Sequence, residues 1–139
     1  MPSCSLGRTA IVRPRVLTVL VADDSDHMRE LVRITLSSQG WRVVEIGDPG
    51  AVPEQVKTVK PDVVLLDVTF EGFKHDGFDV CRTLKGDAAT RDVPVIMLSA
   101  HDKAGDLAEG RAAGAAQYLL KPFGPIELID AIKQVLDFK

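Results

Sequence analysis

Five residues of this 139-residue chain could between them handle phosphorus chemistry: Asp23, Asp24, Asp67, Ser99 and Lys121. Three carboxylates brought together repel one another unless a cation joins them. A hard ion such as Mg²⁺ takes oxygen ligands, keeps some of its water and shares phosphate oxygens. With such a cation in place a phosphate dianion can approach, and one carboxylate can attack phosphorus to give an acyl phosphate. Lysine adds a point charge for the phosphoryl oxygens and serine a compact hydroxyl donor, in a reaction that needs mostly positioning and charge stabilisation. Each residue alone has a plainer use. Acids in Asp23-Asp24-Ser25-Asp26 cap a helix and favour its N-terminal dipole. Asp67 after an apolar run suits a turn. Ser99 suits a helix cap, and Lys121 a solvated surface. The chemistry therefore depends on a fold that gathers all five.

The chain alternates regularly between two hydrophobic periods. Residues 16–22, 41–46, 63–66, 95–98 and 117–120 are short apolar runs and read as buried strands. Residues 26–38 place Met28, Leu31, Val32, Thr35 and Leu36 at helical spacing, and Gly40 closes that helix. Helices are likewise expected over 51–60, 77–85, 102–113 and 126–138. The fourth is Ala-rich with two internal glycines, which makes it intrinsically weak. The last is expected to bury Ile126, Ile129, Ile132 and Leu136. Strands apolar on both faces indicate a parallel sheet covered by helices on each side, joined by right-handed crossovers. In such sheets ligands bind beyond the carboxyl ends of the strands. The first strand delivers Asp23 and Asp24 there, the third Asp67, the fourth Ser99 and the fifth Lys121.

Bulk properties narrow the choice of partner. Net charge is −3, from 20 acids against 17 bases, which gives no electrostatic case for nucleic acid or an anionic membrane. No apolar run approaches the roughly 18 residues needed to span a bilayer, and residues 1–15 lack a signal-peptide core. Those fifteen residues read as a flexible tail, residues 16–139 as one domain, and no output domain is expected to follow. Cys4 and Cys81 are the two cysteines; a disulfide is not indicated, and a cytoplasmic setting fits.

The motifs at the strand ends are Val21-Ala22-Asp23-Asp24-Ser25, Val63-Val64-Leu65-Leu66-Asp67-Val68, Asp76-Gly77-Phe78, Val95-Ile96-Met97-Leu98-Ser99-Ala100 and Tyr118-Leu119-Leu120-Lys121-Pro122-Phe123. Jointly they resemble the receiver domain of two-component response regulators, over about residues 16–138, in a stand-alone form like that of chemotaxis regulators. The resemblance implies a flavodoxin-like (βα)5 three-layer α/β sandwich with strand order 2-1-3-4-5. It implies a phosphoprotein rather than a metabolic enzyme, one that catalyses only its own phosphorylation and dephosphorylation. Asp67 then matches the phosphoacceptor, and Asp23, Asp24, Asp67 and the Thr69 carbonyl match the Mg²⁺ ligands. Lys121 matches the phosphate-binding lysine. Ser99 and Tyr118 match the switch pair, and Thr69 and His101 the positions that tune dephosphorylation. The phosphoryl donor would be a histidine kinase or histidine-phosphotransfer protein, as in a phosphorelay, and the output a downstream protein; nucleic acid and membrane are not expected.

The stretch after Asp67 departs from the family pattern. Members commonly carry Pro four residues after the acceptor and Asp-Gly soon after. Here Glu71 takes the Pro position and Asp76-Gly77 come two residues later than usual, so the loop 69–75 is longer and is expected to cover Asp67 in part. Two alternatives stand beside the main reading. One is a receiver-like interaction module that is never phosphorylated. The other is a phosphatase of the haloacid dehalogenase type, which needs a second Asp where this chain has Thr69.

Overall fold

The computed structural model describes residues 16–68, 77–99 and 104–136. The tail 1–15, the loop 69–75, Thr69 and His101 thus lie outside the described residues.

Parallel strands β1 (Thr18–Ala22), β2 (Arg42–Ile46), β3 (Val63–Asp67), β4 (Val95–Ser99) and β5 (Gln117–Leu120) pair in the order β2-β1-β3-β4-β5. Between and after them run helices α1 (Asp26–Ser37), α2 (Val52–Val59, entered through a 3-10 turn at Pro49–Ala51), α3 (Gly77–Gly86), α4 (Ala104–Ala112) and α5 (Pro125–Val135). The period of two along each strand sorts its side chains between two cores. Leu20, Ala22, Val64, Leu66, Val95 and Met97 face α2 and α3, where Val52, Val56, Phe78, Cys81 and Leu84 meet them. Val19, Val21, Val63, Leu65, Ile96 and Leu98 face α1 and α5, meeting Val32, Leu36, Leu128, Ala131 and Ile132. The three-layer sandwich follows: the inner strands β1, β3 and β4 are almost wholly apolar and buried, whereas the edge strands β2 and β5 carry Arg42, Glu45 and Gln117 and are partly exposed.

Local chemistry sets the element ends. Ser25 accepts from the Met28 N–H at 3.2 Å and caps α1, as Ser does best. Gly40 (φ 78°) and Gly114 (φ 97°) take the left-handed turns after α1 and α4, where a Cβ would be strained. Lys60 turns left-handed after α2 (φ 52°) with its N–H on the Val56 carbonyl, ahead of Pro61.

Two expectations need correction. β1 begins at Thr18 rather than Val16, since Val16 lies beyond the register with β2 and is 59% exposed. α5 buries Leu128, Ala131 and Ile132, with Ile129 and Leu136 only partly buried and Ile126 74% exposed. Pro125 starts the helix, and Ile126 stands two residues before the buried Leu128, about 200° around the helix, so it faces away from the core. In α1 the apolar spacing holds, with Val32 and Leu36 buried and Leu31 41% exposed.

Candidate functional site

The sheet carries its hydrogen-bond ladder slightly past each strand and fixes the backbone where the acids depart. Asp23 N–H donates to the Ile46 carbonyl at 3.1 Å, Val68 N–H to Leu98 at 2.9 Å, and Lys121 N–H to Ser99 at 2.7 Å. Asp67 lies opposite Leu98, and Ser99 opposite Leu120. Four strand ends therefore bring Asp23, Asp24, Asp67, Ser99 and Lys121 to one rim of the sheet.

Carboxylate oxygens of Asp23, Asp24 and Asp67 lie within 4.8 Å of one another. Lys121 Nζ reaches across from β5 and donates to Asp23 Oδ2 at 2.8 Å and Asp67 Oδ1 at 3.1 Å. The remaining Asp23 oxygen, Oδ1, accepts from the Ser25 N–H at 2.9 Å. Asp23, Asp67 and Ser99 are buried, while Asp24 is half-buried at the mouth. The donor set is all oxygen and compact, which fits a hard divalent cation.

Charge is not balanced in this pocket. Burial, then the Asp23 charge, push the Asp67 carboxyl up from 3.8 to about 6; Lys121 opposes them without prevailing. The ammonium sits nearer Asp23, so Asp67 receives the smaller share of it. Burial also works against the Lys121 charge, yet the hydrogen bond to Asp23 and the charges of Asp67 and Asp23 outweigh it and raise its pKa. An anionic pocket of this kind gains from a second cation. The Lys121-Pro122 peptide is cis.

Tyr118 stands half-buried on β5, three residues before Lys121, against the core that faces α2 and α3. Its ring lies over Gly110 of α4, where a Cβ would meet Cδ2 at 3.2 Å.

Two residues escaped the reading of the sequence. Gly77 opens α3 with its N–H on the Val68 carbonyl at 2.6 Å, and a Cβ there would overlap the Asp67 carbonyl. Its place in Asp76-Gly77-Phe78 was visible, but the contact that requires glycine was not. Arg29 donates from Nη1 to the Asp23 carbonyl. Its position six residues after Asp23, across a turn and into a helix, gives no periodic signal.

The DNA-binding response regulator MtrA of Mycolicibacterium smegmatis is 36% identical over 115 residues, which is 83% of this chain and 48% of that protein. The chain thus spans about half the length of that relative. This overturns the expectation that nucleic acid has no place among the partners. The charge balance describes the surface of this domain, whereas DNA binding is named for relatives that the chain matches over about half their length. Among solved structures, the chemotaxis protein CheY4 of Vibrio cholerae superimposes with a TM-score of 0.80 at 27% identity, covering 87% of this chain and 99% of that one. The receiver domain of sensor histidine kinase PA1611 from Pseudomonas aeruginosa does so with a TM-score of 0.79 at 25% identity, over 88% and 99%. That structure has a magnesium ion coordinated in its active-site cleft. Among the described residues no helix is long and apolar enough to cross a membrane. With residues 19–133 matching the family model, the chain belongs to the response regulator receiver domain family, the signalling modules of two-component systems.

Proposed function

We propose that this receiver takes a phosphoryl group on Asp67 from a phosphohistidine, on a histidine kinase or a histidine-phosphotransfer protein, and signals by the change of shape that follows. The reading rests above all on Lys121 Nζ standing 2.8 Å from Asp23 and 3.1 Å from Asp67 beside a third carboxylate. Asp23, Asp24 and Asp67, with the Thr69 carbonyl, would hold Mg²⁺, which when bound neutralises the pocket and the incoming phosphate. A carboxylate oxygen of Asp67 attacks phosphorus in line. The P–N bond to the donor imidazole breaks, and the imidazole regains a proton. Lys121 turns its charge to the phosphoryl oxygens, and Ser99 offers them its hydroxyl. Tyr118 follows on the flank of β5, and Thr69 and His101 set how fast water removes the group. At neutral pH Asp67 is mostly ionised, as a nucleophile must be, since its carboxyl titrates at about 6.

The setting that suits this chemistry is the cytoplasm. Relatives named as DNA-binding response regulators match the chain over about half their length. The readout of phosphorylation is accordingly to be sought on DNA as well as on a protein partner.

Incubation with a small phosphodonor and Mg²⁺, followed by intact mass, tests the proposal. The wild-type chain gains one phosphoryl mass and Asp67→Ala gains none. A wild-type chain that stays unmodified defeats the reading and leaves the unphosphorylated interaction module in its place.

A further inference from the structure

We infer that Arg29 is a positioning residue of the acidic pocket: it fixes the peptide unit between Asp23 and Asp24 and thereby aims Asp24 at the metal. The inference rests on the Mg²⁺-binding reading above.

Arg29 leaves the first turn of α1, and its side chain is only 15% exposed, low for an arginine. Nη1 donates to the Asp23 carbonyl, Nη2 pairs with Asp26, and Nε faces Glu45 at 3.7 Å. The guanidinium rests against Gly47, where a Cβ would stand 3.0 Å from Nη1 and 3.5 Å from Cζ. The residue after β2 is thus one with no side chain, and it makes the bed in which the fork lies. A planar fork holds a carbonyl and a carboxylate in one fixed relative geometry, which a lysine ammonium, a point charge on a flexible stem, does not impose.

The carbonyl matters because of what else is attached to it. The N–H, Oδ1 and Oδ2 of Asp23 are engaged by Ile46, Ser25 and Lys121. Arg29 takes the fourth polar group. That carbonyl lies in one rigid plane with the nitrogen of Asp24, so holding it sets the direction in which Asp24 leaves the chain. Asp24 is the half-buried member of the cluster, where burial alone constrains direction least.

Charge and position act in opposite directions here, which separates them. As a bare cation near the pocket, Arg29 repels a second cation, and its loss would tighten Mg²⁺ binding. As a positioning residue, its loss weakens binding. The experiment is a calorimetric Mg²⁺ titration of the unphosphorylated full chain as wild type, Arg29→Gln, Arg29→Lys and Arg33→Gln. The dissociation constant rises about tenfold in both Arg29 variants, the scale seen when a group that orients a metal ligand is lost. It stays at the wild-type value in Arg33→Gln, which strips the 3.1 Å partner from Glu45 but leaves Asp23 alone. Metal-free ¹H–¹⁵N spectra give a second readout: the Asp24 and Ser25 amides move in both Arg29 variants while those of α5 stay in place. If Arg29→Gln loses the native spectrum, Arg29→Lys decides by the same two measurements. Unchanged or tighter binding in the folded Arg29 variants overturns the inference. A wild type that binds no Mg²⁺ instead defeats the metal reading itself, a result readily told from a wild type that binds and variants that bind equally.

Discussion

At the ends of β1 and β3 every polar group of Asp23 has a partner, and Lys121 ties the two strands together. Along α4 and β5 the molecule is built differently. A cleft of about 310 Å³ opens there, lined by Gly110, Arg111, Ala115, Ala116, Gln117 and Tyr118. β3 and β4 are buried along their full length, whereas each residue of β5 is partly or fully exposed. Among the described side chains of α4, Ala108, Glu109, Arg111 and Ala112 are exposed. The difference fits the two jobs of the function proposed above, a fixed pocket and a flank that moves. Like charges held at close range need a rigid frame, because a small displacement alters their energies sharply. A segment that must adopt a second arrangement needs little buried area to lose.

Substitutions on the two sides should differ accordingly. Lys121→Ala leaves the fully buried Asp23 carboxylate without its cation. Breaking a buried pair in this way costs about 3–5 kcal/mol, and a metal-free urea melt at pH 7 should show a loss of that order, with added Mg²⁺ recovering part of it. A loss below about 1 kcal/mol, the scale of an exposed pair, would erase the contrast.

Asp67 acts with the opposite sign. Its carboxyl is raised from 3.8 to about 6 in the fold, so the stability it permits is complete below pH 3.8 and is lost as pH rises through about 6. The shift corresponds to about 3 kcal/mol at most. Metal-free Asp67→Asn should therefore be more stable than wild type at pH 8 by up to that amount, with the gain vanishing near pH 4. Melts at the two pH values check this, and an equal gain at both would remove titration as its cause.

Gly110→Ala probes the looser side. Alanine favours a helix by about 1 kcal/mol over glycine, but the new Cβ meets the Tyr118 ring at 3.2 Å. Because the ring borders the cleft and can yield, a net gain of under about 1 kcal/mol is expected, with Tyr118 fluorescence showing a more exposed ring. A loss above about 2 kcal/mol, the scale of overpacking in a tight core, would show the flank to be as rigid as the pocket.

Strand number, helix alternation and the gathering of Asp23, Asp24, Asp67, Ser99 and Lys121 were legible because each follows from a local period or from the end of an apolar run. The stripe of α5 was not. Ile126 and Leu128 are both apolar and lie on opposite sides of the helix, and only the packing decides which side is covered. Gly77 and Arg29 were hidden for a related reason: their contacts are with backbone atoms of residues far along the chain or across a turn, and backbone carbonyls leave no mark on residue type. Charge misled about partners because it belongs to a surface, and the relatives named as DNA-binding extend well beyond the part this chain matches.

β5 is only four residues long, and Lys121 follows it directly. Tyr118 and Lys121 are three residues apart, about 10 Å at the rise of a strand. Dissolved salt at physiological strength damps a charge over about 8 Å, and damps it much less through protein interior. A dianion held by Lys121, as proposed above, would stand near the edge of that range from Tyr118, on a strand that is partly exposed.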